Sequence, residues 1–117
     1  MEIHVTLHFD AAHRLPSLPP GHKCSRLHGH TFLVEVHVAG EPDPTQGWVM
    51  DFGEIKAAAR PVIDQLDHRL LNEIPGLENP TSENVARWLW ERIAPRLPAL
   101  SRIVVRENPN SGVEYRG

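Results

Sequence analysis

Two long runs of alternating apolar and polar residues constrain the fold of this chain more than any other feature. In the first run the odd positions are apolar: Ile3, Val5, Leu7 and Phe9. In the second run, which opens with His-Gly-His, the even positions are apolar: Phe32, Val34, Val36 and Val38. A period of two is typical of a strand that buries one face. We therefore expect a sheet with one apolar face.

The remaining segments predict two helices and two further strands. Asp51 is a typical helix N-cap, and Pro61 should kink or split the helix that follows. Thr81 is the expected cap of a second, amphipathic helix. Residues 101–107 and 112–116 are typical of short strands joined by a turn. Four strands with two helices on one face predict an α+β sandwich.

The length of the chain predicts a single domain. Its 117 residues suffice for one modest core but not for two, so we expect one folding unit over residues 1–117. A small sheet with open edges would gain from self-association into a closed barrel, because closure removes unpaired backbone groups. We therefore expect a homo-oligomer.

Charge and cysteine content argue against several classes of partner and indicate a cellular compartment. The net charge is −3 with no run of lysine or arginine, which argues against binding to nucleic acid or an anionic membrane surface. No stretch reaches membrane-spanning length, and the start does not resemble a secretory signal, so we expect a cytoplasmic protein. The single cysteine cannot form an internal disulfide, which favours a reducing compartment.

Three histidines are candidate metal ligands. His28 and His30, two apart on a predicted strand, point to the same side, and the parity of the first strand brings His13 to that side too. Three neutral imidazoles suit Zn²⁺ and leave a fourth position for water or substrate. Alternatively, His28 and His30 are ordinary polar residues at a strand end, because H-x-H is a common pattern.

Cys24 lies just before these histidines in a proline-rich loop, and the sequence leaves three roles open for it. It could be a fourth metal ligand, a packed structural thiol, or a nucleophile or base. Lys23 and Arg26 add positive potential that would favour a thiolate. Spacing does not choose among these roles.

Two further positions carry acids or bases that chemistry could use. Asp67 and His68 could form an acid/base relay, but adjacent residues on a helix diverge by about 100°, so an ordinary surface pair is the simpler interpretation. Glu107 shares the buried parity of its strand and needs a partner there. That partner is either a ligand with two parallel N–H donors or a cation such as Arg106.

Taken together, these residues resemble the 6-pyruvoyl-tetrahydropterin synthase family, and within it the bacterial 6-carboxy-5,6,7,8-tetrahydropterin synthases of queuosine biosynthesis. The resemblance spans nearly the whole chain and rests on these motifs: FDAAHRLP, GHKCSRLHGH, GWVMDFGEIK, LDHRLLNEIPGLENPTSENVA and VRE…YRG. It implies the tunnelling fold (T-fold), a four-stranded antiparallel sheet with two helices on one face. In that fold trimers close a β-barrel and stack into hexamers, with active sites between subunits.

The resemblance also implies a role for each candidate residue. The zinc ligands would be His13, His28 and His30. The catalytic group would be Cys24, Asp67 and His68. The pterin anchor would be Glu107, assisted by Thr81 and Ser82. The chain departs from the pattern at Asn108, where the family often has threonine after the anchoring glutamate, and this puts the details of pterin anchoring in question.

The implied reaction converts 7,8-dihydroneopterin triphosphate to 6-carboxytetrahydropterin, with release of acetaldehyde and triphosphate and with Zn²⁺ as cofactor. Cys24 would remove a proton and His68, oriented by Asp67, would relay one. One alternative is a 6-pyruvoyl-tetrahydropterin synthase acting on the same substrate, and a related enzyme of secondary deazapurine metabolism would look the same. Another is a non-enzymatic zinc- or pterin-binding protein in which Cys24 closes the metal site.

Overall fold

The two alternating runs form one long antiparallel ribbon. Strand β1 (Glu2–His13) pairs with β2 (His28–Ala39) over its whole length, so that Glu2 lies opposite Ala39 and His13 opposite His28. The computed structural model describes residues 1–117. The elements that follow are α1 (Phe52–Ile63), β3 (Arg69–Leu70), α2 (Ser82–Ile93), β4 (Leu100–Asn108) and β5 (Ser111–Tyr115).

The sheet has five strands in the order β3-β1-β2-β4-β5. The α+β class and the sheet with two helices on one face are confirmed, but the strand count exceeds the expected four. The additional strand is β3, a two-residue segment that pairs parallel to β1 through Ala11 and Ala12. Two residues are too few to show an alternating pattern, so the sequence carried no signal for β3.

The core lies between the two helices and one face of the sheet. Phe9 and Phe32 face each other across the ribbon with their rings stacked 4.7 Å apart, and both are buried. Full burial of a side chain of this size stabilises the fold by about 1.5–3 kcal/mol. The helices add buried residues on their inner faces: Ile55, Ala59, Val62, Ile63, Val85, Ala86, Trp88, Leu89 and Ile93.

Both helix starts are capped by the predicted residues. Asp51 Oδ1 accepts a hydrogen bond from the Gly53 N–H at 2.8 Å, and Thr81 Oγ1 accepts one from the Asn84 N–H at 3.2 Å. Pro61 neither splits α1 nor ends it at once, because the helix continues for two more residues to Ile63. A proline this close to a helix end removes only one hydrogen bond of the last turn.

The outer edge of β1 is mostly free. Strand β3 covers only Ala11 and Ala12, so no strand pairs with that edge along residues 2–10. An edge of this length presents backbone donors and acceptors to a further strand. None of the helices combines the length and the apolar character that crossing a bilayer requires.

Candidate metal centre and active site

Three imidazoles converge at one end of the β1–β2 ribbon. His13 and His28 are direct cross-strand partners, and His30 follows two residues along β2 on the same face. One nitrogen from each ring lies within 4.8 Å of the other two, and His13 Nε2 is 3.1 Å from His28 Nε2. The predicted grouping of the three histidines is therefore present in the fold.

Hydrogen bonds on the outer side of the cluster fix two of the rings. His13 Nδ1 lies 2.8 Å from the Pro80 carbonyl, and His28 Nδ1 lies 2.7 Å from the Arg26 carbonyl. A carbonyl oxygen only accepts, so each Nδ1 carries the proton and each Nε2 lone pair faces the centre of the cluster. His30 Nε2 is buried without any hydrogen-bond partner.

The protonation states also suit a cation. Burial lowers the pKa of His13, and the opposing effects of the Pro80 hydrogen bond and the Glu107 charge do not cancel it. Burial likewise lowers the pKa of His30. Neutral imidazoles with lone pairs directed at one point, one of them buried and unpartnered, fit a divalent ion such as Zn²⁺.

Glu107 lies at the edge of the cluster. Its Oε2 is 3.5 Å from His30 Nε2 and its Oε1 is 3.9 Å from His13 Nε2. The Ser82 hydroxyl donates to Glu107 Oε1 at 2.9 Å. Arg106 pairs instead with Glu35 on the other face of the sheet, so the simple ion pair considered for Glu107 does not form. The carboxylate therefore keeps acceptor capacity free beside the histidines.

Asp67 and His68 occupy the turn between α1 and β3. The expectation that their side chains diverge assumed a helix and is wrong, because Asp67 Oδ2 lies 3.0 Å from His68 Nδ1. The Asp10 N–H donates to Asp67 Oδ1 at 2.9 Å, and His68 adopts a left-handed backbone with φ of 58°. The hydrogen bond and charge of Asp67 raise the pKa of the His68 imidazole, while the Asp10 and His68 hydrogen bonds lower the pKa of Asp67.

An open cleft of about 640 Å³ is lined by one residue of this pair, His68, and one of the histidine cluster, His30. Its walls include His30 from one side and His68 and Arg69 from the other. His68 is 78 % exposed, so its imidazole is available to a molecule in the cleft. An acid/base imidazole and a candidate metal ligand that share one cleft can act on one bound substrate.

Cys24 lies in a short 3-10 turn, Lys23–Ser25, and is partly buried. Its carbonyl accepts a hydrogen bond from the Leu15 N–H at 2.8 Å, which ties the loop to the chain just after His13. The thiol is not among the ligand atoms that lie within 4.8 Å of one another in the histidine cluster. This arrangement does not favour Cys24 as a closing ligand.

Two of the predicted substrate-binding residues have structural partners already. The Thr81 hydroxyl is the cap of α2, and the Ser82 hydroxyl donates to Glu107. Sequence reasoning missed Asn72, whose side-chain amide accepts from the Arg14 N–H at 3.0 Å and donates to the Arg14 carbonyl at 2.8 Å. Asn72 thereby clamps the backbone next to His13. A lone asparagine 58 residues from its partner gives no local signal.

A five-stranded sheet, two helices on its apolar face and three histidines at the end of its central ribbon are the architecture of a T-fold protein with a candidate metal centre. The profile of the family described as 6-pyruvoyl tetrahydropterin synthase matches residues 2–117. The chain belongs to this family, as its motifs indicated.

Individual relatives carry several names. The chain is 44% identical over 109 residues to the dihydroneopterin monophosphate aldolase of Pyrococcus furiosus, covering 91% of this chain and 89% of the relative. It is 41% identical over 113 residues to the 6-carboxy-5,6,7,8-tetrahydropterin synthase of Synechocystis sp., covering 92% and 86%. The structure of the Caenorhabditis elegans 6-pyruvoyl tetrahydropterin synthase superposes with a TM-score of 0.91 at 30% identity, covering 100% of this chain and 95% of that one.

Proposed function

We propose that the protein is a zinc-dependent 6-carboxy-5,6,7,8-tetrahydropterin synthase of queuosine biosynthesis. It would convert 7,8-dihydroneopterin triphosphate to 6-carboxytetrahydropterin with release of acetaldehyde and triphosphate. Relatives with that name from Synechocystis sp. and Bacillus subtilis, at 41% and 32% identity, support this assignment. The observation that carries the proposal is the cluster of His13, His28 and His30 with the Glu107 carboxylate within 4 Å of two of its rings.

In this proposal the three imidazoles hold Zn²⁺, which when bound acts as a Lewis acid on the hydroxyls of the substrate side chain. Glu107 accepts hydrogen bonds from the amino-pyrimidine edge of the pterin, while Ser82 holds the carboxylate in position. Cys24 as thiolate removes a proton from the side chain, and His68, oriented by Asp67, donates or relays a proton at Nε2.

A second candidate is a dihydroneopterin phosphate aldolase. The 44% identity to the Pyrococcus furiosus aldolase favours it. The two reactions share a requirement, because each breaks a carbon–carbon bond of a pterin side chain and needs a group to remove one proton and a group to supply another. His68, paired with Asp67 and lining the same cleft as His30, would serve either reaction.

Product analysis distinguishes these functions. Zinc-loaded protein is incubated with dihydroneopterin triphosphate and, separately, with the monophosphate, and the products are identified by mass spectrometry. We expect 6-carboxytetrahydropterin and acetaldehyde from the triphosphate. A hydroxymethyl pterin would establish the aldolase, and a pyruvoyl pterin would establish the sister synthase. Binding of pterin without turnover of either substrate would identify a binding protein.

We also propose that the protein is cytoplasmic and assembles through its sheet edges into trimers that stack as hexamers. The free outer edge of β1 and the short edge strand β5 at the other side of the sheet support this assembly. Edge-to-edge pairing would satisfy the backbone groups left open along β1. Sedimentation equilibrium tests it: a monomer at micromolar concentration would refute the proposed assembly.

A further inference from the structure

A second group of potential ligands lies on the opposite face of the sheet. His4 and His37 are direct cross-strand partners in the β1–β2 ribbon, and Glu35 lies two residues from His37 on β2. One ligand atom from each of the three residues lies within 4.8 Å of the others. Their parity places them on the face away from the helices, and nothing in the proposed reaction uses them.

We propose that His4, Glu35 and His37 form a second binding site for a divalent transition-metal ion. The site repeats the construction of the first one: a cross-strand histidine pair plus a third ligand two residues along β2. His4 and His13 are nine residues apart on an extended strand, so the two sites are separated by about 30 Å. Two imidazoles and a carboxylate, with room for water, are a donor set that Zn²⁺ accepts.

The distances are compatible with one ion between the three side chains. His37 Nε2 lies 3.0 Å and His4 Nε2 lies 3.9 Å from the same oxygen, Glu35 Oε1. The rings of His4 and His37 stack with their centroids 4.6 Å apart. The His4 side chain is 49% exposed, so it is free to rotate toward an ion, whereas His37 is buried and held in place.

Charged and polar side chains surround the outer nitrogen of His37. Glu2 Oε1 lies 3.1 Å from His37 Nδ1. Arg102 donates to the same carboxylate at 2.8 Å, and the Ser101 hydroxyl donates to its other oxygen at 2.9 Å. Arg102 Nη2 also donates to His37 Nδ1 at 3.2 Å, and His37 Nε2 donates to Glu35 Oε1 at 3.0 Å. An ion bound at Nε2 would therefore displace that proton, and Glu2 beside Nδ1 can accept a proton there.

Two arginines lie beside the second site. They leave its metal-ligand atoms accessible but should weaken its affinity for Zn²⁺. Arg106 Nε lies 3.4 Å from Glu35 Oε2, the oxygen that does not face the histidines, so Oε1 remains available. Burial raises the pKa of Glu35, but the His37 hydrogen bond and nearby positive groups outweigh it and lower the pKa overall. The carboxylate is therefore ionised. Because Arg102 and Arg106 add positive charge, we expect this site to bind Zn²⁺ more weakly than the first.

Metal counting on variants tests the second site. Metal-free protein is titrated with ZnCl₂ and, after equilibrium dialysis, its bound zinc is counted by mass spectrometry. We expect two ions per chain for the wild type and one for His4→Ala and for Glu35→Gln. His8→Ala is the matched control, since His8 is an exposed histidine on the same face of β1, and it should keep two.

The result of this metal-counting experiment does not depend on whether the proposed function is correct. His28→Ala should lose the other ion, and His4→Ala should keep full turnover, so a failure at one site does not imply a failure at the other. One ion per chain in the wild type would overturn the inference. So would a second ion that survives both His4→Ala and Glu35→Gln. Anomalous diffraction at the zinc edge should place a peak between His4 and His37.

Discussion

Replacing Glu107 by glutamine is the most informative single change at the proposed active site. The carboxylate uses part of one oxygen to accept from Ser82, and its remaining acceptor capacity lies beside the histidines. Glutamine has nearly the same size but turns one acceptor into a donor and removes the charge. A pterin edge that presents parallel N–H groups would then lose one charge-assisted hydrogen bond.

The size of the effect follows from that single bond. A hydrogen bond to a charged group contributes about 1.5–3 kcal/mol, which corresponds to roughly 10- to 150-fold in affinity. The Glu107 side chain is 27% exposed, so water competes for it and the lower part of this range applies. We therefore expect pterin affinity to fall by about 10- to 30-fold. Fluorescence titration with a non-reactive pterin measures this change.

Zinc content must be measured on the same preparation. Because Glu107 is within 4 Å of His13 and His30, it could instead be a fourth metal ligand. Full zinc occupancy with weakened pterin binding supports the anchor. Loss of zinc, or unchanged pterin affinity, refutes it. Glu83→Gln is the matched control, since Glu83 lines a separate small cavity together with Glu107 but is exposed, and both quantities should stay unchanged.

Three further predictions concern the remaining site residues. Cys24→Ala should retain zinc but lower turnover by roughly 10²–10⁴-fold, and a metal-free, unfolded variant would show that the thiol is structural. Asp67→Asn removes the negative charge and leaves only a weaker, neutral acceptor for His68, so the pKa of His68 should fall and its midpoint in an NMR titration should move to lower pH. An unchanged midpoint would contradict the pair. If turnover needs protonated His68, the alkaline limb of the pH–rate profile should also move to lower pH. His28→Ala should abolish zinc binding at the first metal site. It should leave the circular dichroism spectrum unchanged, because His28 is only partly buried. Full retention of that zinc would show that His28 is not a ligand.

The β1–β2 ribbon and the histidine cluster could be predicted from local patterns. Alternation assigns each side chain to a face, so parity alone is enough to place His28 and His30 with the apolar residues of their strand. The same parity puts His13 on that face, and pairing of the strand ends makes it the partner of His28. Both helix caps followed from short-range signals at Asp51 and Thr81.

Other parts of the site have no local signal. The turn that brings Asp67 and His68 into contact depends on the pairing of β3 with β1 and on the Asp10 N–H, which lies 57 residues away in the chain. Reasoning from helical geometry therefore predicted the wrong relation between these side chains. The Pro80 carbonyl that orients His13 is likewise remote in sequence, at a separation of 67 residues.

By itself the sequence determined the alternating strands, the faces of their side chains and the kind of chemistry that the histidines allow, because these depend on neighbours within a few residues. Only the tertiary structure decided which nitrogen of His13 faces the cluster, that Ser82 holds Glu107, and that His4 and Glu35 meet His37 on the other face. Most of those contacts join residues far apart in the chain. They form only when burial of the apolar face brings the strands and helices together, and no local pattern encodes them.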